Sequence, residues 1–162
     1  MLIESTAVLL PVILLVEDNP DDVALVRAAF LRTHLDCNLQ IASTGEQALL
    51  YLSGEGKYAL RTLYPVPALV LLDLKLPGMD GFEVLSWIRR HPQLSRLHVV
   101  VLTSSGQIRD ANQAYQLGAN SFLVKPADFE NFAEVSRAIY DHWLSPDKAA
   151  GGPNQRLADR PG

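Results

Sequence analysis

Four short aliphatic runs, Val12 to Val16, Leu69 to Leu72, Val99 to Leu102 and Ser121 to Val124, constrain the chain more than any other feature. Unbroken runs of this kind are what strands covered on both faces look like. Between them the apolar residues return at helical spacing. Asn19 followed by Pro20, Asp21 and Asp22 combines a capping amide, a first-turn proline and acids at the positive end of the helix dipole, and it starts a helix running to about His34. Asn38 to Ile41 reads as a shorter strand, and Ser43-Thr44-Gly45-Glu46 opens a helix with Ala48, Leu49 and Leu52 on its apolar face, ended by Gly54. After Leu72 the pairs Pro77-Gly78 and Asp80-Gly81 signal turns, and Phe82, Leu85, Ile88 and Arg89 restore a helical period as far as Arg90. A helix from about Gln107 to Leu117 closes at Gly118, and Asp128 opens a last one carrying Phe129, Phe132, Val135, Ile139 and Trp143. Five strands alternating with five helices predict an α/β, doubly wound parallel sheet joined by right-handed crossovers.

Composition narrows the function classes. A chain of 162 residues fits one domain, and 48% apolar with 20% charged residues is ordinary for a globule with a real core. The net charge of −4 leaves no footprint for nucleic acid. The one compact basic cluster, Arg89-Arg90-His91, lies at a helix end where cations suit the dipole. Cys37, the single cysteine, excludes an internal disulfide and is compatible with a reducing cytoplasm, where the protein is expected. The apolar run Ala7 to Val16 is too short to span a bilayer and is broken by Pro11, so neither a membrane span nor a signal peptide is expected. The four histidines are scattered without metal-ligand spacing.

The expected organisation is an N-terminal extension over residues 1–10, a domain over 11–144, and a flexible tail over 145–162 rich in Pro, Gly, Ala, Asp and Arg. The connection from Gly54 to Ala68 is long for such a unit, which suggests a task of its own.

The candidate site comes from what the strands end in: Glu17-Asp18, Asp73, Thr103 and Lys125, all on the carboxyl edge, where ligands bind in such sheets. If the strand order is 2-1-3-4-5, the first and third strands are neighbours roughly 5 Å apart, which would put Asp18 beside Asp73. Like charges so close repel unless a cation lies between them, and hard carboxylate oxygens favour Mg²⁺ over zinc. Metal, hydroxyl and lysine together make a receptor for a phosphoryl group, with Asp73 as the nucleophile that would carry it. Singly, Asp18 could cap a helix, Asp73 could be a turn residue, Thr103 a β-branched strand end and Lys125 a solvated cation. Four strand ends bearing the groups one reaction needs make the joint functional reading the stronger.

These residues resemble the receiver domains of two-component response regulators over about Pro11 to Leu144. The resemblance rests on Leu15-Val16-Glu17-Asp18-Asn19, the stretch from Leu72 to Gly81, Leu102-Thr103-Ser104, Gly118-Ala119-Asn120 and Lys125-Pro126. It implies the flavodoxin-like strand order 2-1-3-4-5 and a phosphoryl group passed to Asp73 from a histidine of a sensor kinase. It also implies Mg²⁺ held by Asp18, Asp73 and the Lys75 backbone carbonyl, with Glu17 acting through water. Thr103 and Phe122 would be the switch residues, Ser104 and Lys125 would bind the phosphoryl group, and Lys75 and Ser105 would tune its loss. Within the family the chain looks most similar to single-domain regulators of phytochrome-type kinases, on the Gly54 to Ala68 loop, the stretch from Arg90 to Arg96 and His142-Trp143-Leu144. Two departures are His98, where proline is expected, and the apolar stretch before Pro11.

Two other classes remain open at this point: a Mg²⁺-dependent aspartyl-phosphate phosphohydrolase, and an interaction module that keeps the fold without the chemistry. Lys75 counts against the first, because such enzymes usually carry a general acid two residues after the nucleophile. The intact acids count against the second. With no second domain following, output is expected through protein contacts and not through catalysis on external substrates. Tyr140 and Leu144 lie off the core stripe of the last helix, and with Ala7 to Leu10 they suggest apolar surface for a homodimer.

Overall fold

A computed structural model describes residues 10–145. Most of the expected N-terminal extension, including Ala7 to Leu9, and the expected tail beyond Ser145 lie outside the described residues. The strands are β1 Val12–Val16, β2 Asn38–Ala42, β3 Leu69–Leu72, β4 His98–Thr103 and β5 Ser121–Val124. The helices are α1 Pro20–Arg32, α2 Gly45–Ser53, α3 Gly81–Arg90, α4 Ile108–Gln116 and α5 Phe129–Trp143. The sheet is parallel throughout, in the order β2-β1-β3-β4-β5.

Why the central strands are apolar at every position is visible in their two-residue alternation. Ile13, Leu15, Leu69, Leu71, Val100 and Leu102 bury on one face together with Val26, Phe30, Phe132 and Ile139 of α1 and α5. Leu14, Val16, Val70, Leu72, Val99 and Val101 bury on the other with residues of α2, α3 and α4. The edge strands β2 and β5 are only partly covered, which accounts for their mixed composition.

The helix starts follow the expected capping. Asn19 Oδ1 accepts from the backbone N–H groups of Asp21 and Asp22 at 2.8 and 3.3 Å, and Thr44, Asp80 and Asp128 accept from Gln47, Glu83 and Asn131. The expected end of α1 near His34 is corrected to Arg32. Thr33 Oγ1 donates back to Ala29 O at 2.8 Å, and His34 turns left-handed with φ of 53°. Strand β4 begins one residue earlier than expected, at His98, whose ring stacks on Trp143 with centroids 4.9 Å apart. The residue that departs from the expected proline therefore joins the start of β4 to the end of α5.

The long connection has a structural task. It forms a 3-10 turn over Gly56–Ala59, and Arg61 donates to the carbonyls of Tyr51, Leu52 and Tyr64 at 2.8 to 2.9 Å, closing the end of α2. The rings of Tyr51, Tyr58 and Tyr64 pack with centroids 5.0 to 5.9 Å apart. Arg89, expected as a helix-end cation, is likewise spent inside the fold on the carbonyls of Gly118, Ser95 and Leu97 and on Asn120 Oδ1.

One expectation is overturned here. Leu144 is only 6% exposed and belongs to the α1–α5 core, with Tyr140 and Trp143 packed against the same cluster. Leu144 caps the helix, its N–H donating to Tyr140 O at 2.8 Å, and its side chain reaches the core that the helix already covers. Leu144 therefore adds no surplus apolar surface at this helix end, while Tyr140 stays half-buried. Among the described residues no helix is long and apolar enough to cross a membrane.

Candidate functional site

Register alone assembles the site. Val16 lies opposite Leu72, and Thr103 opposite Val124, so the next residues along each strand leave the sheet on one edge. The Asp73 N–H donates to Val16 O at 3.1 Å, and the Lys125 N–H to Thr103 O at 2.8 Å, which continues the ladder one step past the strands. Gly81 packs so tightly behind Asp73 that a Cβ there would overlap the Asp73 carbonyl and come within 2.7 Å of Leu74 Cα. A side chain at that position would displace the acid.

Glu17 is buried at 2% exposure and Asp73 at 6%, whereas Asp18 is exposed. One carboxylate oxygen from each of Glu17, Asp18 and Asp73 lies within 4.8 Å of the other two. Oxygens around an octahedral Mg²⁺ at about 2.1 Å are roughly 3 to 4 Å apart, so this donor set fits the ion after a small contraction. It has no nitrogen or sulfur that would favour zinc. The Lys75 backbone N–H donates to Asp73 Oδ1 at 3.2 Å and fixes that side chain from the turn.

Lys125 is the counter-charge of the cluster. Its Nζ donates to Glu17 Oε1 at 2.5 Å, to Asp22 Oδ2 at 2.8 Å and to Asp73 Oδ2 at 3.3 Å. Burial alone would lower the lysine pKa, but the bonds to Asp22 and Glu17 and the Asp73 charge outweigh it and hold the ammonium above its ordinary range. Glu17 moves up, to about 7, because burial and the neighbouring Asp73 charge outweigh its bond to Lys125.

The remaining sequence candidates lie on or just past β4 and β5, and among the described residues none shares a hydrogen bond with Asp73. Thr103 is fully buried, with its Oγ1 accepting from the Ser105 N–H at 3.4 Å. Ser104 is exposed, and Ser105 is buried, donating to Asp110 Oδ2 at 2.6 Å. Phe122 is half-buried against the α2–α4 side of the core, and its N–H donates to the Tyr115 hydroxyl at 3.1 Å. Asp22 is the participant that sequence reasoning passed over. Its place in the first turn of α1 was explained by the helix dipole, and only its spacing of four residues from Asp18 hinted that it overhangs the strand end.

The response regulator receiver domain family matches residues 13–137. The chain belongs to that family. Rcp1, a response regulator of Synechocystis sp., is 38% identical to this receiver over 133 residues, 82% of this chain and 88% of its own. The crystal structure of the Mn²⁺-bound form of Rcp1 aligns with a TM-score of 0.74 over 84% of this chain and 96% of that one, at 38% identity. The phosphorylated cyanobacterial phytochrome response regulator RcpA aligns with a TM-score of 0.78 at 36% identity, over 85% of this chain and 96% of that one. A probable methanogenesis regulatory protein, FilR2 of Methanothrix harundinacea, is 38% identical over 143 residues, 86% of this chain and 88% of its own. The sheet order and the receiver fold expected from the sequence are those observed. Receivers of this kind are signalling modules.

Proposed function

We propose that this receiver accepts a phosphoryl group on Asp73 from the phosphohistidine of a sensor kinase and passes the signal on through protein contacts. The observation that carries the reading is the convergence of Glu17, Asp18 and Lys125 on Asp73 at one sheet edge. In the transfer an Asp73 carboxylate oxygen attacks phosphorus. A P–O bond forms, the P–N bond to the donor imidazole breaks, and the imidazole leaves with the electron pair. Asp18, Asp73 and the Lys75 carbonyl would hold Mg²⁺, with Glu17 acting through water, and the bound ion would supply positive charge to the phosphoryl oxygens. Lys125 offers a preorganised ammonium on the other side of Asp73. Thr103 and Phe122, on the two strands beyond Asp73, are the residues we assign to sensing the new group, and Ser104, just past β4, is assigned with Lys125 to binding it.

The kinase we propose is of the phytochrome type, supported by the likeness to RcpA and Rcp1. Autodephosphorylation would be the only other reaction of the domain. Incubation with Mg²⁺ and acetyl phosphate should add one hydroxylamine-labile phosphate per chain. An Asp73→Asn protein should take none, and equal labelling of the two would refute the assignment. Mixing with phosphorylated kinases of the phytochrome type and of other classes should then show faster transfer from the former.

A further inference from the structure

We propose that Asp22 is a latch on Lys125, a positioning residue that holds the lysine between α1 and Asp73 and so restrains phosphorylation of Asp73. The inference rests on the phosphoacceptor reading above and adds a residue to it.

A lysine ammonium has three N–H donors and no more. In this receiver all three are taken: by Glu17 at 2.5 Å, Asp22 at 2.8 Å and Asp73 at 3.3 Å. The longest of the three is the one that reaches the phosphoacceptor. Asp22 therefore holds Lys125 more closely than Asp73 does, although Asp22 is 103 residues distant in the chain and Asp73 only 52.

Nothing in helix α1 requires Asp22 to make this reach. Asn19 already caps the helix, accepting from the N–H groups of both Asp21 and Asp22. The Asp22 carboxylate would serve the dipole equally well pointing into water. Among the described residues its one hydrogen-bonded partner is Lys125.

Exposure separates the two acids that compete with Asp73 for the lysine. The Glu17 side chain is 2% exposed and has no access to water if released, whereas the Asp22 side chain is 32% exposed. Asp22 is thus the exchangeable arm. Phosphorylation replaces the single charge of the Asp73 carboxylate with nearly two and adds three acceptor oxygens, and charge-assisted bonds to them outcompete a carboxylate that is 32% exposed. Lys125 then turns from α1 toward the phosphoryl group, and Asp22 is hydrated.

The test uses the full chain with Asp22→Asn and Asp22→Glu, each also combined with Lys125→Met. The first readout is the ¹⁵N resonance of the Lys125 ammonium in metal-free protein. It should shift in Asp22→Asn and return toward its native position in Asp22→Glu. The second is the initial rate of labelling by acetyl phosphate with Mg²⁺. An ion pair with one partner a third exposed is worth up to about fivefold in an equilibrium, so Asp22→Asn should label about three to five times faster. Asp22→Glu should label at the native rate, and in the Lys125→Met background the Asp22→Asn gain should disappear. An unshifted ammonium resonance, slower labelling of Asp22→Asn, or an equal gain without the lysine would each overturn the latch. A native chain that takes no phosphate overturns the phosphoacceptor reading instead, and the ammonium resonance then decides by itself whether Asp22 holds Lys125.

Discussion

Replacing Glu17 with glutamine should remove a pH dependence of stability that the native acid cluster imposes. Glu17 is 2% exposed, with Oε1 on Lys125 Nζ and Oε2 accepting from the Asn19 N–H at 3.2 Å. Burial, aided by the Asp73 charge, raises its carboxyl from 4.5 to about 7. The folded state therefore binds this proton more tightly than the unfolded chain does. The resulting stabilisation is full below pH 4.5 and is lost as pH rises through about 7. Each tenfold in proton affinity is about 1.4 kcal/mol, so the rise corresponds to roughly 3 kcal/mol. Lys125 is held charged by the same acids, and its attraction for ionised Glu17 is already contained in that rise, so the full loss is about 3 kcal/mol. Urea unfolding followed by Trp87 and Trp143 fluorescence, with a chelator present, gives the stability of native and Glu17→Gln protein from about pH 4 to about pH 8. The difference between the two should change by about 3 kcal/mol across the window, in favour of Glu17→Gln at the alkaline end. Mg²⁺ should recover the native protein's loss there, because the ion takes the ionised carboxylate. Parallel curves for the two proteins would refute the placement of Glu17 as a buried acid that shares its charge with Asp73.

Two further substitutions test the frame around the site. Gly81→Ala drives a methyl into the Asp73 carbonyl and Leu74 Cα, so it should cost about 1 to 3 kcal/mol in urea unfolding and slow labelling of Asp73; unchanged labelling would show that the turn yields freely. Leu144→Ala should cost about 2 to 4 kcal/mol because the side chain is 6% exposed in the α1–α5 core, with no change in sedimentation; a shift in oligomeric state without loss of stability would restore the helix end as an interface.

The sequence by itself determined the strands, the helix starts and the chemistry offered at the strand ends. Those features are local: an apolar run marks a strand covered on both faces, and Asn19, Thr44, Asp80 and Asp128 mark helix starts through bonds three residues long. Strand order came from the likeness to receivers, not from the pattern, since periodicity says which residues are buried and not which strand lies beside which. Tertiary structure decided the rest. Tyr140 and Leu144 looked like surplus apolar surface because the helix period alone does not show that the α1–α5 core reaches the last residues of the helix. Arg89 read as a cation suited to a helix end and Arg61 carried no signal, until chain crossings brought carbonyl oxygens to both. Asp22 had a sufficient local explanation in the helix dipole, and its pairing with Lys125 joins points 103 residues apart. A contact of that span depends on the packing of α1 against the sheet, which places one turn of helix above the end of a strand that follows it only much later in the chain.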